Sequence, residues 1–378
     1  MQDSISKPSW GKPPWTIDFH PARYPFLDEI DFAVVGGGFA GLAAAAWLRR
    51  IAPEKSVALF EARSIGAGSS GHTGGMVLAE TAAGDLPGLG DVLKGYSKIL
   101  QELEIDCDLA LPGVWEIGRS ATLPDSPISW TDSGNLGAVR EVPGGTVDPG
   151  EAVSGLARAA EKRGAQIFEN SPVEEFEFEN DLTRLHVPGG IVKASGVLFA
   201  TNAMSLELTG LSQRAQPKFT LAVATEPLSS AQLEGLGLAD GKPFYTVDFP
   251  YLWGRRLRTG AVVFGAGLVH LDHWRELERV DIASGEAAEL IARLERRVNA
   301  LHPVMRDVRF THRWGGPILI ANGWRPIFSR HPQIPRSIVL GAFSGHGVAQ
   351  SVYLGAWAAE ALCSQRELPA WDSSVESA

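Results

Sequence analysis

The stretch that decides the fold is Val34-Val35-Gly36-Gly37-Gly38-Phe39-Ala40-Gly41. It closes a short apolar run, residues 32–35, and opens an alanine-rich segment, 39–50, that reads as a helix. Residues 57–60 are a second apolar run, closed by Glu61. Strand, glycine turn, helix and strand make a βαβ unit. Gly36, Gly38 and Gly41 stand in G-x-G-x-x-G spacing. The first permits a tight turn, the second lets backbone approach a pyrophosphate, and the third lets helix and strand pack closely. Phe39 and Ala40 open a helix whose unpaired N–H groups and positive dipole end face the phosphates. Glu61, at the end of the second strand, is placed to accept hydrogen bonds from ribose hydroxyls and to repel a 2′-phosphate. Ala62 and Arg63, which follow it, are assigned to the same site.

Two further glycine segments decide which dinucleotide is bound. The run Ile65-Gly66-Ala67-Gly68-Ser69-Ser70-Gly71-His72-Thr73-Gly74-Gly75 is too flexible for regular structure unless a bound group orders it. Residues 337–340 read as a buried strand, 341–347 as a glycine turn and 348–362 as an alanine-rich helix. A nicotinamide dinucleotide needs neither segment, whereas FAD is long and its ring must be held at both ends. The cofactor is therefore read as FAD. Its contacts are assigned to Gly68, Ser69, Ser70, His72, Gly74, Gly75 and Met76 in the first segment and to Gly341, Gly345, His346, Gly347 and Val348 in the second. Val173 joins them, as do Thr201 and Asn202, the polar end of an expected strand at 196–200.

The rest of the chain supports a two-domain α/β protein. Residues 89–103 and 285–301 read as helices, and Asp148-Pro149-Gly150 caps another at 151–163. Strands are expected at 165–168 and 173–178, and 110–146 is broken by Pro and Gly. Residues 220–227, 244–251 and 261–265 carry β-branched and aromatic residues, which suggests an antiparallel sheet in a second domain. The expected division is an arm at 1–29 lying on the surface, a segmented Rossmann-type FAD domain at 30–90, 147–215 and 311–378, and a substrate domain at 91–146 and 216–310.

Composition narrows the partners. Against 44 acidic residues stand 34 Lys and Arg, a net charge of −10 with no basic run, which argues against nucleic acid. Cys107 and Cys363 are too few for a disulfide framework or a zinc site, so a reducing cytoplasm is expected. No stretch has the length of a signal peptide core or of a membrane span.

Gly36 to Gly41, Glu61, the Gly66 to Gly75 loop, Val147-Asp148-Pro149, Ala200-Thr201-Asn202-Ala203 and Phe343-Ser344-Gly345-His346-Gly347 occur in an order that resembles the D-amino-acid-oxidase-like flavoproteins, among them glycine oxidase, monomeric sarcosine oxidase and dimethylglycine dehydrogenase. Ala224-Thr225-Glu226-Pro227-Leu228 and the Trp-rich arm are most similar to the gamma-glutamylputrescine oxidase branch. The resemblance implies that the turn at 344–348 meets the pyrimidine end of the flavin, where a helix N-terminus stabilises the anionic reduced ring. It also places His72 where the dimethylglycine dehydrogenase branch carries its covalent flavin-linking histidine. Many relatives with a similar loop hold FAD without a covalent bond, and both readings stay open here.

The same resemblance implies oxidation of a primary or secondary amine to an imine by hydride transfer to the flavin, with O2 as acceptor. A dehydrogenase that uses a carrier, and a non-catalytic flavin-binding protein, are the alternatives. Sarcosine oxidases carry a carboxylate-binding lysine where this chain has Ala349 and an arginine where it has a glycine near Gly75. Glycine oxidases place an arginine soon after the tryptophan that resembles Trp314, where this chain has Gly315-Gly316-Pro317-Ile318. The loss of these anchors favours an amine without an α-carboxylate. His346, Tyr251 and Trp314 are expected at the reacting centre, with Tyr245 and Trp253 completing an aromatic wall. Arg255, Arg256 and Arg258 are either a distal carboxylate site or a solvated cluster.

Overall fold

The computed structural model describes residues 9–371. The expectations for 1–8 and 372–378 lie outside the described residues. Glu29–Val35 is the central strand of an eight-stranded mixed sheet, pairing in parallel with Gly190–Phe199 on one side and Val57–Phe60 on the other. Gln166–Phe168 extends one edge in parallel, Ser337–Gly341 the other, and Ile327–Arg330 runs antiparallel at the rim. The hairpin Glu175–Glu179 and Leu182–Val187 hangs from Gly190–Phe199. Val57–Phe60 is buried along its whole length, as befits a parallel strand covered on both faces.

Helices Phe39–Ile51, Pro149–Lys162 and Gly347–Leu362 pack together over this sheet. Alanine allows the close approach: Gly355 sits against the Ala40 carbonyl with no room for a side chain. Asp148 caps the second helix by accepting from Glu151 N at 3.0 Å, with Pro149 at its first position, as the sequence indicated.

A second eight-stranded sheet has the order Phe310–Ala321, Ala215–Thr225, Val262–His270, Trp253–Arg256, Phe244–Thr246, Val114–Gly118, Asn135–Val142, Trp130–Thr131. It is antiparallel except between Phe244–Thr246 and Val114–Gly118. Helix Gly285–Leu301 backs it, with Ile291, Leu294 and Val298 turned inward.

Four expectations need correction. The boundary at 311 cuts the strand Phe310–Ala321, which pairs along its length with Ala215–Thr225 and so belongs to the second sheet. Helix Val92–Glu102, expected in the substrate domain, packs on Gly347–Leu362, where Gly95 lies against the Tyr353 ring. The strand expected over 244–251 stops at Thr246, where the chain turns back and Thr246 N donates to Leu252 O at 2.8 Å, and a separate strand, Trp253–Arg256, carries two of the arginines. The arm is not a surface tether: Trp10, Trp15 and Phe19 are buried, and Gly11 bridges to Trp314.

Candidate active site

The carboxyl ends of the central parallel strands open into a cleft of about 1780 Å3 whose wall draws on all three glycine segments. Gly36 has φ +111°, and a Cβ there would come within 2.6 Å of the Ala200 carbonyl oxygen. Glu61 closes the turn: Oε2 accepts from Gly37 N at 2.7 Å and Oε1 from Arg63 N at 2.9 Å. Burial raises its pKa, and these two bonds oppose that rise. Each carboxylate oxygen keeps a lone pair for a ribose hydroxyl. Helix Phe39–Ile51 begins at Gly38, whose own side chain offers no cap, and its first residues, Phe39 and Ala40, line the cleft.

Asn202 ties the other two segments together. Its Nδ2 donates to Ser69 Oγ at 3.1 Å and its Oδ1 accepts from Ala342 N at 2.9 Å. Ser69 Oγ donates in turn to Pro317 O at 2.7 Å, and Ser70 Oγ accepts from Phe39 N at 2.9 Å. Ser69–His72 therefore form one turn of helix, held by protein contacts where order was expected only from a bound cofactor. Helix Gly347–Leu362 starts at His346, again without a side-chain cap, and its N-terminus faces the same cleft.

His72 and His346 both line the cleft. The Nδ1 of His72 lies 2.8 Å from Gly68 O, and a carbonyl only accepts, so Nδ1 carries the proton and Nε2 a lone pair. Burial lowers the pKa of His72, and the charge of Arg63 lowers it further against the Gly68 bond. Burial likewise holds His346 down, and its Nδ1 reaches Ser344 O at 3.4 Å. Both rings are neutral near pH 7.

These residues fit an extended dinucleotide. Two helix N-termini would offer positive dipole ends, one to phosphates and one to an electron-rich ring, and the Glu61 carboxylate could accept from a ribose. Of the residues assigned to FAD, Gly36, Gly38, Phe39, Ala40, Glu61, Ala62, Arg63, Gly68, Ser69, Ser70, His72, Gly74 and Met76 line the cleft. Val173, Thr201, Asn202, Gly345, His346, Gly347 and Val348 do so as well. Gly41, Gly75 and Gly341 lie behind the wall. A Cβ at Gly41 would overlap the Gly36 carbonyl, one at Gly75 the Val147 carbonyl, and one at Gly341 would press on the Asn202 backbone, so all three serve packing.

The substrate-side expectations fare unevenly. Tyr251 and Trp253 line the cleft. Trp314 belongs to the cleft wall as well but is wholly buried: its Nε1 donates to His72 O at 3.0 Å and its ring meets Trp15 edge-on, so it braces the His72 turn. Tyr245 points away and donates to Glu116 Oε1 at 2.5 Å. Arg255 is buried beneath the loop, donating from Nε to Gly74 O, and burial lowers its pKa to about 10. Arg256 is bonded to Ala239 O, and Arg258 pairs with Glu151 and Asp108. None of the three arginines lines the cleft.

Two groups stand out among the lining residues that the sequence did not point to. Trp10 and Lys12 enter from the arm, and Leu290, Arg293, Leu294 and Arg297 from one face of helix Gly285–Leu301. The helical face was legible, since these positions repeat at spacings of three and four. Arg297 is occupied by Asp132, at 2.6 Å, and by the Tyr251 carbonyl at 2.8 Å. Arg293 has no hydrogen-bond or ion-pair partner among the described residues.

A family model described as FAD dependent oxidoreductase, DAO, matches residues 31–361. The chain belongs to this family. It is thus an FAD-dependent oxidoreductase. A probable oxidoreductase OrdL of Rhizobium meliloti (strain 1021) is 26% identical over 378 aligned positions, covering 89% of this chain and 83% of that protein. The 4-methylaminobutanoate oxidase (formaldehyde-forming) of Paenarthrobacter nicotinovorans is 26% identical over 56% of this chain and 29% of its own length. Among solved structures, glycine oxidase from Geobacillus kaustophilus superposes with a TM-score of 0.71 at 18% identity, over 90% of this chain and 96% of that one. No helix among the described residues is long and apolar enough to cross a membrane, and no cluster there could hold a metal ion.

Proposed function

We propose that the protein oxidises a C–N bond of a primary or secondary amine that lacks an α-carboxylate and carries a distal one, giving an imine, with O2 as the final acceptor. The observation that carries this reading is the continuity of the cleft. The cleft that holds the cofactor cradle is also lined by Tyr251, Trp253, Ile318 and Arg293. Aromatic and apolar walls strip water from a neutral amine, and a guanidinium without a protein partner is the natural anchor for a remote carboxylate. The positions at which the resembling families carry their carboxylate anchors offer none here: Ala349 is fully buried, a side chain is excluded at Gly75, and residues 315–318 carry no charge. The relative that acts on 4-methylaminobutanoate takes an amine of this kind.

Bound FAD supplies the hydride acceptor. The chain supplies orientation and charge: the helix N-terminus at His346 stabilises negative charge at the ring, and His346, neutral, is a proton acceptor beside it. For His72 we propose a covalent link from Nε2 to the flavin 8α carbon; forming it would release a proton from the 8α methyl group and leave the flavin reduced by two electrons, which the O2 proposed above would accept. A neutral imidazole with its lone pair on Nε2 and its other nitrogen fixed to Gly68 O is the nucleophilic form such a bond requires. Two unpaired cysteines support a reducing, cytoplasmic location.

An anaerobic panel of amines with and without α- and distal carboxylates tests the substrate reading through bleaching of the flavin absorbance. Bleaching by distal-carboxylate amines is expected, and a flavin left oxidised by every amine would show a binding protein instead. Stopped-flow mixing with air then tests the acceptor, since reoxidation no faster than free flavin means a dehydrogenase. Acid precipitation should leave yellow colour in the pellet, and His72→Ala should release it; colour wholly in the supernatant ends the covalent proposal.

A further inference from the structure

We propose that Trp10 is a positioning residue of the flavin site, holding the His72 imidazole at the cleft wall, so that the arm from residue 9 onward is a working part of cofactor binding. This rests on the reading that the cleft binds FAD. The Trp10 indole is 3% exposed, and its single N–H is committed to Leu277 O at 2.9 Å. Its ring meets His72 edge-on, with centroids 5.4 Å apart and planes at 79°, and packs on Phe219 at 5.7 Å. The Arg63 guanidinium lies 5.0 Å from the same ring. One side chain thus joins the loop carrying His72, the residue that follows Glu61 and Ala62, and the second sheet.

The arm on either side of Trp10 is fixed to both domains. Ser9 O accepts from Ile282 N at 3.0 Å, and Trp10 O from Gly315 N at 2.8 Å, on the side of the second sheet. Trp15 Nε1 donates to Gly71 O at 2.8 Å and Asp18 N to Ser154 Oγ at 2.8 Å, on the side of the first. With Trp314 on His72 O, two indole N–H groups hold the two consecutive carbonyls at the end of the His72 turn. The His72 ring itself has one hydrogen bond, to Gly68 O, which leaves its tilt to be set by contact. Trp10 supplies an edge-on contact to that ring, beside the Gly316 backbone that packs on the His72 Cβ, and both Trp10 and His72 line the wall. A tether would need only the backbone bonds; a buried indole with an oriented N–H specifies a position.

The test compares wild type, Trp10→Phe and Trp10→Ala as full-length protein, measuring the FAD concentration that half-loads the apoprotein, the visible circular dichroism of the bound flavin and the melting temperature. Trp130→Phe is the control, because Trp130 is equally buried and donates to Leu236 O at 3.0 Å away from the cleft. Trp10→Ala should weaken FAD binding about tenfold, the size of one aromatic edge contact with a cation–π contact, and alter the visible band. Trp10→Phe, which keeps the edge contact, should restore most of both. Trp130→Phe should lower the melting temperature and leave the flavin band unchanged. Wild-type binding and spectrum in both Trp10 variants overturn the proposal, as does an equal flavin effect in Trp130→Phe. Should Trp10→Ala fail to fold, Trp10→Leu, which fills the space without an aromatic edge, decides: a flavin band displaced beyond that of the control supports the role, and an unchanged one overturns it. A wild-type chain that takes up no FAD overturns the cofactor reading itself, an outcome distinct from all of these.

Discussion

At Gly41 there is no room for a methyl group, because the Gly36 carbonyl occupies the place where Cβ would stand. Gly41→Ala must push the helix off the strand, at a cost of about 1–3 kcal/mol, the usual size of overpacking. The expected outcome is a melting temperature lower by a few degrees and weaker FAD retention, read by thermal melts with and without added FAD. The buried histidines predict a pH dependence. An unfolded histidine titrates near 6.5, whereas burial holds His72, His346 and His331 below that value. Between the folded and unfolded values the unfolded chain binds more protons, so their contribution is present above about pH 6.5 and is lost as pH falls below it. Melting temperatures of the apoprotein should fall between pH 7 and pH 5, and His346→Gln should flatten part of that slope. A slope unchanged by this substitution would place the responsible group elsewhere.

Among the elements, Pro149–Lys162 is the one whose signals are all local. Asp148 accepts from Glu151 N, Pro149 takes the first position, and the residues between repeat at helical spacing. Asp148→Ala should cost about 1 kcal/mol, visible as a lower urea midpoint with an unchanged slope. Signals of this kind made the βαβ unit, the helix Gly285–Leu301 and the strand Ser337–Gly341 legible in the sequence. What escaped was any property set by a distant partner. Trp314 and Tyr251 look alike as aromatic residues in strand-like surroundings, yet one is sealed by Trp15 and the other stands at the cleft, 42% exposed. Arg255 reads as part of a solvated cluster with Arg256 and Arg258, but strand alternation turns it inward onto the Gly74 carbonyl. Neither burial can be derived from neighbours in the chain.

On the scale of the whole molecule, the cofactor site depends on segments from every third of the sequence, and its stability is tied to the ligand. Saturating FAD, at about a hundred times its dissociation constant, should add about 2.7 kcal/mol, so the holoprotein should melt several degrees above the apoprotein. Equal melting temperatures would mean that FAD does not select the folded state. The arm was the largest misreading at this scale, since its tryptophans and prolines resemble a tether until Trp10 and Trp15 are seen between the two sheets.

The central strand Glu29–Val35 has its partner Gly190–Phe199 far along the chain, and that strand in turn pairs with Ser337–Gly341. During synthesis, the glycine turn at Gly36 therefore leaves the ribosome long before the sheet that supports it can close. Helix Gly347–Leu362, which packs on Phe39–Ile51, emerges later still. Flavin capture must wait for almost the entire polypeptide, and the nascent chain spends that interval with the apolar strands 32–35 and 57–60 unsheltered. Slow maturation and a reliance on chaperones follow from the order in which this sheet is threaded.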